Sequence, residues 1–387
     1  MVTLEPMDAQ VQSQVLETVR RFVDREVIPT ASEYEHADDY PTPLVDRMKE
    51  LGLFGATIAP EWGGLGLDYS TYAMVVEELC RGWMSLSGVL NTHLMFAFVL
   101  QSVGTDEQRG RYLPAMARGE HRAALCLTEP HAGSDTQGIK TTARRDGDSY
   151  VLNGSKMFIT NARTATVFST LVKTDPTTDP PHRGMSLFAA EPGPGLTVGR
   201  DIDKLGYKGI ETCEVTFDEY RVPAANLIGG QEGRGLQAVL SGLEVGRINI
   251  AARAVGVARA AFEDSIRYSQ QRETFGKPIC EHQAIQLKLA EMATKIEASR
   301  LLVRQAAAMK DAGQRCDLEA GMAKLFASET CQEVTLDAMR ILGGYGYTKE
   351  FRVERYYRDA PLMIIGEGTN EIQRLVIARS LIKRYQI

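Results

Sequence analysis

What the chain lacks narrows its chemistry first. None of its six cysteines forms a CxxC pair or stands at zinc spacing from a histidine, which excludes the common metal-finger designs. Cys80, Cys126, Cys213, Cys280, Cys316 and Cys331 are dispersed and read as reduced thiols of a cytoplasmic protein, with no metal site expected. A positive surplus is missing too: 44 Lys and Arg against 50 Asp and Glu give a formal charge of −6, the wrong sign for a nucleic-acid partner. The longest apolar run, Leu94 to Leu100, is far shorter than the about 20 residues that cross a bilayer, so no membrane association is expected. Glu5, Asp8 and Glu17 near the start, with no apolar h-region, fit neither a secretory signal nor an arginine-rich transit leader. Phosphate loops are missing as well. There is no GxxxxGKS/T, and GGLGLD, GGQEGRG and GGYGYTKE do not join a strand to a helix in a βαβ unit.

What is present is an ordinary globular composition over 387 residues, 44% hydrophobic and 24% charged, enough for two or three domains. From Val15 through Val19, Phe22, Val23 and Val27 the apolar positions recur at helical spacing, and Pro29 is expected to end that helix. Helical periodicity continues to about residue 122, with Thr105 as the N-cap of a short helix. From 123 to 230 the pattern turns to short β-rich runs, and Asn153-Gly154 inside SYVLNGSKMFIT predicts a hairpin turn. From 231 to 387 helical periods return, with Ile285, Leu289, Met292 and Ile296 on one stripe and Gly313 as a stop signal. The expected class is mainly α with a central antiparallel β-domain.

Two stretches carry more chemistry than structure requires. LCLTEPHAGSD, Leu125 to Asp135, offers hydroxyls and small residues that let backbone N–H groups approach a flat polar ring, although Ser, Asp and Gly also favour plain turns. LMIIGEGTNEIQR, Leu362 to Arg374, sets Glu367 between two glycines after an apolar run. An acid in such a setting either holds a raised pKa useful to a general base or simply complements the N-terminus of the next helix, worth about 0.3–1 kcal/mol.

LTEPHAGSD, GSKMFITNA, RETFGKPICEHQAIQ, RILGGYGYTKEFRVERYYRDA and IGEGTNEIQRLVIAR stand in one order and register along nearly the whole chain, and on these the sequence resembles the acyl-CoA dehydrogenase family. The resemblance implies an N-terminal helical domain, a middle β-barrel-like domain and a C-terminal four-helix bundle. It further implies FAD held without a Rossmann unit, a homotetramer, and oxidation of an acyl-CoA to the trans-2-enoyl-CoA with electrons passed to an electron-transfer flavoprotein. An oxygen-using acyl-CoA oxidase is the near alternative, and a non-catalytic flavin or acyl-CoA binder the distant one.

Carried onto this chain, the resemblance makes Glu367 the base. It places Leu125, Cys126, Leu127, Thr128, Gly133 and Ser134 under the flavin ring, with Phe158, Ile159 and Thr160 as the second ring contact. Arg272, Thr274, Phe275, His282 and Gln283 take the FAD pyrophosphate region, where an arginine fork suits paired oxygens. Arg340, Ile341, Leu342, Gly343 and Gly344 take the adenine side from a neighbouring subunit, and Thr369, Asn370 and Glu371 complete the cofactor set. Ser134, Glu244, Arg247 and Gly368 are implied on the CoA side. Some members carry the base on an earlier helix, but that position here is Gly246. Ile364 and Ile365 are expected to wall the carboxylate. Three departures stand out: His131 for Gly or Asn, Phe158 for Trp, and Gly366 for Tyr, the last expected to admit a bulkier acyl group.

Overall fold

The structure, a computed structural model, describes residues 7–386. Its N-terminal part is helical: α1 (Ala9–Phe22), α2 (Ile28–Ala37), α3 (Thr42–Glu50), α4 (Tyr69–Gly82), α5 (Met84–Val103) and α6 (Asp106–Ala117). Pro29 does not end the first helix. The chain passes through a π-type turn, Val23–Val27, and runs on as α2 with Pro29 in its first turn, where the missing N–H costs no bond. Thr105 caps α6 as expected, in a reciprocal box with Gln108. Helix α5, at 20 residues, is long and apolar enough to cross a membrane. It is instead buried along nearly its whole length, as an all-round apolar helix at the centre of a core should be.

The middle part is one seven-stranded sheet made of β1 (Ala123–Cys126), β2 (Thr142–Asp146), β3 (Ser149–Thr160), β4 (Val167–Lys173), β5 (Met185–Ala190), β6 (Leu196–Asp201) and β7 (Thr212–Pro223). Most pairs are antiparallel, but β1 and β2 both meet β4 in parallel. The expected hairpin at Asn153-Gly154 is not there. Strand β3 runs straight through it with a bulge, and the turn falls at Asp146–Ser149, where Gly147 has φ 61°. Asn153 instead binds the Glu219 N–H (2.9 Å) and carboxylate (2.7 Å) across the sheet. Gly154 lets Thr141 come so close that a Cβ would sit 2.7 Å from its Cα.

The C-terminal part begins with α7 (Gly235–Gln271), followed by the short pair β8 (Glu273–Thr274) and β9 (Lys277–Pro278). Helices α8 (Gln283–Asp311), α9 (Asp317–Leu342), α10 (Val353–Ile365) and α11 (Asn370–Arg384) complete a bundle around α7. Gly313, at φ 67°, closes α8 as its stop signal predicts. Helix α7 also packs on α4 and α5, so one 37-residue rod joins the two helical parts. The result is helical N- and C-terminal domains with a β-domain between them.

Candidate active site

Helix α10 ends at Ile365, and the chain reaches α11 through residues 366–369. Glu367 sits there at φ 54°, a left-handed conformation that a side chain rarely adopts and that the surroundings must enforce. The enforcing group is Lys324 of α9, fully buried. Its ammonium donates to Ile364 O (3.1 Å), Gly368 O (2.9 Å) and Asn370 Oδ1 (2.7 Å), closing the loop from both sides.

The turn aims the Glu367 carboxylate into the groove between α5 and α7. Oε1 accepts a hydrogen bond from Asn91 Nδ2, while Oε2 is closed to solvent and has no hydrogen-bond partner among the described residues. Oε2 fills the hollow over Gly246, where a Cβ would collide with it, and Met95 Sδ stands 3.1 Å from that same point. The expected wall is therefore corrected: Ile365 faces outward, 64% exposed, because the left-handed turn carries the acid away from the run that precedes it. Burial pushes the Glu367 carboxyl above the ordinary carboxylate value, opposed by Arg253, the Asn91 bond, Lys324 and Arg247. Helix capping does not account for this acid, since Thr369 Oγ1 accepts from Ile372 N (3.3 Å) and Glu371 occupies the first turn.

Strand β1 packs on α5 and leads into the next loop. Cys126 faces the β-core, so only its main chain is open, and Leu127 packs on the helical core. Gly133 and Ser134 are exposed, and a Cβ on Gly133 would meet only Thr128 Cγ2, at 4.0 Å. Glu129, whose role has no local sequence signal, holds this loop in shape. It is buried and accepts from Lys140 N (2.6 Å), Thr141 N (3.1 Å), Thr141 Oγ1 (2.6 Å) and Lys156 Nζ (2.7 Å). Phe158 stands at a register slip of β3 against β7 with φ 61°, its ring 62% exposed. Ile159 points the other way into the β-core, so of the predicted ring contacts Phe158 and Thr160 keep free side chains. Asn161, next along, donates to Gly88 O (3.0 Å) and Thr92 Oγ1 (3.1 Å) of α5. Since Asn91 of the same helix holds Glu367, one turn of α5 anchors both the acid and the residue that follows Thr160.

The remaining cofactor residues form a separate cluster. Arg272, Thr274, Ile341, Leu342, Gly343 and Gly344 line one cavity of about 500 Å³ with Tyr268 and Tyr345. His282 Nε2 lies 3.0 Å from Thr274 Oγ1, Phe275 is 95% exposed, and Gln283 opens α8 at the surface. Arg340 is not part of the lining and pairs with Asp337 at 3.2 Å. Counted along α7, Arg272 is 26 residues from Gly246, roughly 39 Å at the helical rise. That exceeds the reach of one extended dinucleotide. The two sets expected from different subunits thus share one wall of the same chain, and the correction is that both stand far from this chain's own Glu367.

Other assignments change in detail. The Asn370 side chain does not face a cofactor. It is fully buried, with Oδ1 accepting from Lys324 and Nδ2 donating to Ser328 Oγ (3.0 Å) and Glu329 Oε1 (3.1 Å). Glu244 is engaged by Lys310 (2.7 Å), so its carboxylate is already partnered. Arg247 keeps a buried Nε with no acceptor and lies 3.7 Å from Asp317. Gly368 gives its carbonyl to Lys324 and Gln373. Glu35, His36 and Glu354 gather closely enough to hold a cation, yet Arg358 already pairs with both carboxylates. Asn91, Lys324 and Arg253 were not singled out from sequence. Lys324 and Arg253 carry a signal, a charge with apolar residues on both sides in GMAKLFASE and IAARAVGVA, whereas Asn91 in GVLNTHLMF is followed by Thr92 and His93 and carries little.

These residues fit FAD: an exposed aromatic ring at a bulge, an open glycine loop, and an arginine-lined cavity. Comparison with known proteins agrees. Models of the acyl-CoA dehydrogenase N-terminal, middle and C-terminal domains match residues 9–120, 124–220 and 233–382. An acyl-CoA dehydrogenase of Bacillus subtilis is 43% identical over 375 residues, covering 96% of this chain and 98% of that protein. Butyryl-CoA dehydrogenase from Megasphaera elsdenii superposes with TM-score 0.94 at 38% identity, over 97% of this chain and 100% of that one. A chain from work on the electron transferring flavoprotein of Acidaminococcus fermentans and its electron bifurcation does so with TM-score 0.94 at 40% identity and the same coverage. The chain belongs to the acyl-CoA dehydrogenase family of FAD-dependent oxidoreductases.

Proposed function

We propose that this protein removes the α-proton and β-hydrogen of an acyl-CoA thioester to give the trans-2-enoyl-CoA, and passes the electrons to an electron-transfer flavoprotein. The observation that supports it is the buried, unpartnered Oε2 of Glu367, a carboxylate with one oxygen held by Asn91 and the other free. A carboxyl kept above its ordinary pKa by burial is a better base near neutral pH than a solvated one. Glu367 takes the proton from the carbon next to the thioester. Its own backbone N–H is offered to the thioester carbonyl, where charge builds as that proton leaves, an effect typically worth several kcal/mol. Bound FAD supplies the acceptor for the β-hydrogen. The glycines on both sides of the acid leave space for substrate to approach.

A homo-oligomer follows from the roughly 39 Å between the Gly246 and Arg272 levels of α7. The cavity at Arg272 and Gly344 serves the FAD of a neighbouring copy, and that copy's cavity serves this one. The flavoprotein partner is supported by the kinship with the Acidaminococcus chain, and a short acyl chain by that with butyryl-CoA dehydrogenase.

Anaerobic mixing of the yellow holoprotein with acyl-CoA tests the reading. The flavin should bleach, stay bleached in the absence of an acceptor, and reoxidise slowly in air. Glu367→Gln should keep FAD and lose the bleaching. Undiminished reduction in that variant places the base elsewhere, and rapid turnover with air makes the enzyme an oxidase.

A further inference from the structure

Beyond Glu367 the seam between α5 and α7 turns polar. Gly246, Asn249 and Arg253 follow at i, i+3 and i+7 on one face of α7, so Arg253 stands about 10 Å beyond the base level at the helical rise. Ser87 and Asn91 line the facing row of α5. Arg253 is 2% exposed, and each hydrogen bond it makes goes to a neutral acceptor: Nε to Asn249 Oδ1 (2.7 Å), Nη1 to Tyr207 OH (3.3 Å) and Nη2 to Ser87 O (3.4 Å). Tyr72 OH accepts from Asn249 Nδ2 at 2.8 Å, and the Tyr207 hydroxyl fills the hollow at Gly88.

A buried guanidinium has five N–H donors; here its hydrogen bonds all go to neutral acceptors, and the Glu367 carboxylate balances its charge only through space, which leaves it costly to keep. The hydrocarbon end of a fatty acyl group would leave those donors facing methyl groups. A carboxylate would take two of them at once, in the paired geometry an arginine fork favours. The direction also fits. The Glu244–Lys310 pair and Asp317 gather on the N-terminal side of Gly246, where the CoA portion is expected, so the acyl group points the other way, toward Arg253.

Building on the dehydrogenase reading above, we propose that the substrate is the mono-CoA thioester of a short dicarboxylic acid, its distal carboxylate anchored by Arg253 with Tyr207 and Asn249 beside it. The spacing along α7, less the arginine's own length, leaves room for only a few carbons between the α-carbon and that carboxylate.

The test compares anaerobic flavin reduction of the holoenzyme by butyryl-CoA, glutaryl-CoA and the amide-ended analogue of glutaryl-CoA. In the unaltered protein, kcat/KM for glutaryl-CoA should exceed that for both others at least tenfold. Arg253→Met should collapse or invert that ratio, and Arg253→Lys should keep part of it; ratios within one variant are insensitive to partial misfolding. Preference for butyryl-CoA over glutaryl-CoA, or equal use of acid and amide, overturns the proposal while leaving the dehydrogenase reading intact. Reduction by none of the three also overturns the proposal, and the dehydrogenase reading then stands or falls on flavin bleaching by straight-chain and branched acyl-CoAs of other lengths.

Discussion

Replacing Lys324 by methionine separates the fold of this protein from its chemistry. The ammonium now satisfies Ile364 O, Gly368 O and Asn370 Oδ1, and stripping a buried acceptor of its donor costs about 1–3 kcal/mol each before relaxation. Against that, burial drags the lysine down to about 8. The gap from its ordinary value means that holding the charge inside costs about 3 kcal/mol at neutral pH. The sign follows: this lysine penalises the folded state below pH 8, and the penalty fades as pH rises from 8 toward the unfolded value. The charge penalty offsets part of that loss, so Lys324→Met should lose up to about 6 kcal/mol of stability at pH 7. The rate of the protein that stays folded should fall as well, because the loop that forces Glu367 into φ 54° is released, and a 1 Å misplacement of a reacting group costs about 100-fold. Urea unfolding and stopped-flow flavin reduction across pH 6–10 measure both. Wild type should lose rate above about pH 8 as Lys324 gives up its proton, and Lys324→Arg, which keeps its charge, should lack that limb. Reduction within threefold of wild type in Lys324→Met, or an unchanged alkaline limb in Lys324→Arg, refutes the reasoning.

Gly246→Ala puts a methyl against Glu367 Oε2 and 3.1 Å from Met95 Sδ. It should cost about 1–3 kcal/mol as overpacking and slow flavin reduction about 100-fold with FAD retained; full activity would mean that Oε2 does not occupy that hollow in the working enzyme. Glu367→Gln should raise the melting temperature at neutral pH. The native carboxyl titrates above its unfolded value, so ionising it on the way to pH 7 weakens the native state. The gain should close as pH falls toward 4, and a variant less stable than wild type at every pH would contradict the burial argument.

Helix and strand zones were legible because periodicity changes near residues 122 and 230, and because caps such as Thr105 and Gly313 act locally. The errors came from tertiary contacts that no local signal carries. Asn153-Gly154 has the composition of a turn, yet Glu219 and Thr141 claim it for a bulged strand. Pro29 has the look of a stop, and a π-type turn upstream absorbs it. Glu367 was readable since its neighbours in sequence are glycines and an apolar run. Its partners Asn91, Arg253 and Lys324 were not, because they lie on three other helices and nothing local ties them to the acid.

Those partners explain how one carboxylate can be both buried and reactive. Desolvation pushes Glu367 toward its protonated form. Arg253, Lys324 and Arg247 each pull the other way, and Asn91 adds a hydrogen bond to the charged form. None of the three cations forms a direct ion pair with it, so each acts through space and none blocks Oε2. A contact ion pair there would drive the carboxyl far down and tie up the oxygen that must meet the substrate. Three cations at a distance leave an acid raised but ionisable, with one free oxygen over a glycine. That balance depends on burial as much as on charge, so a substitution that lets water into the groove should weaken the base even if every cation stays in place.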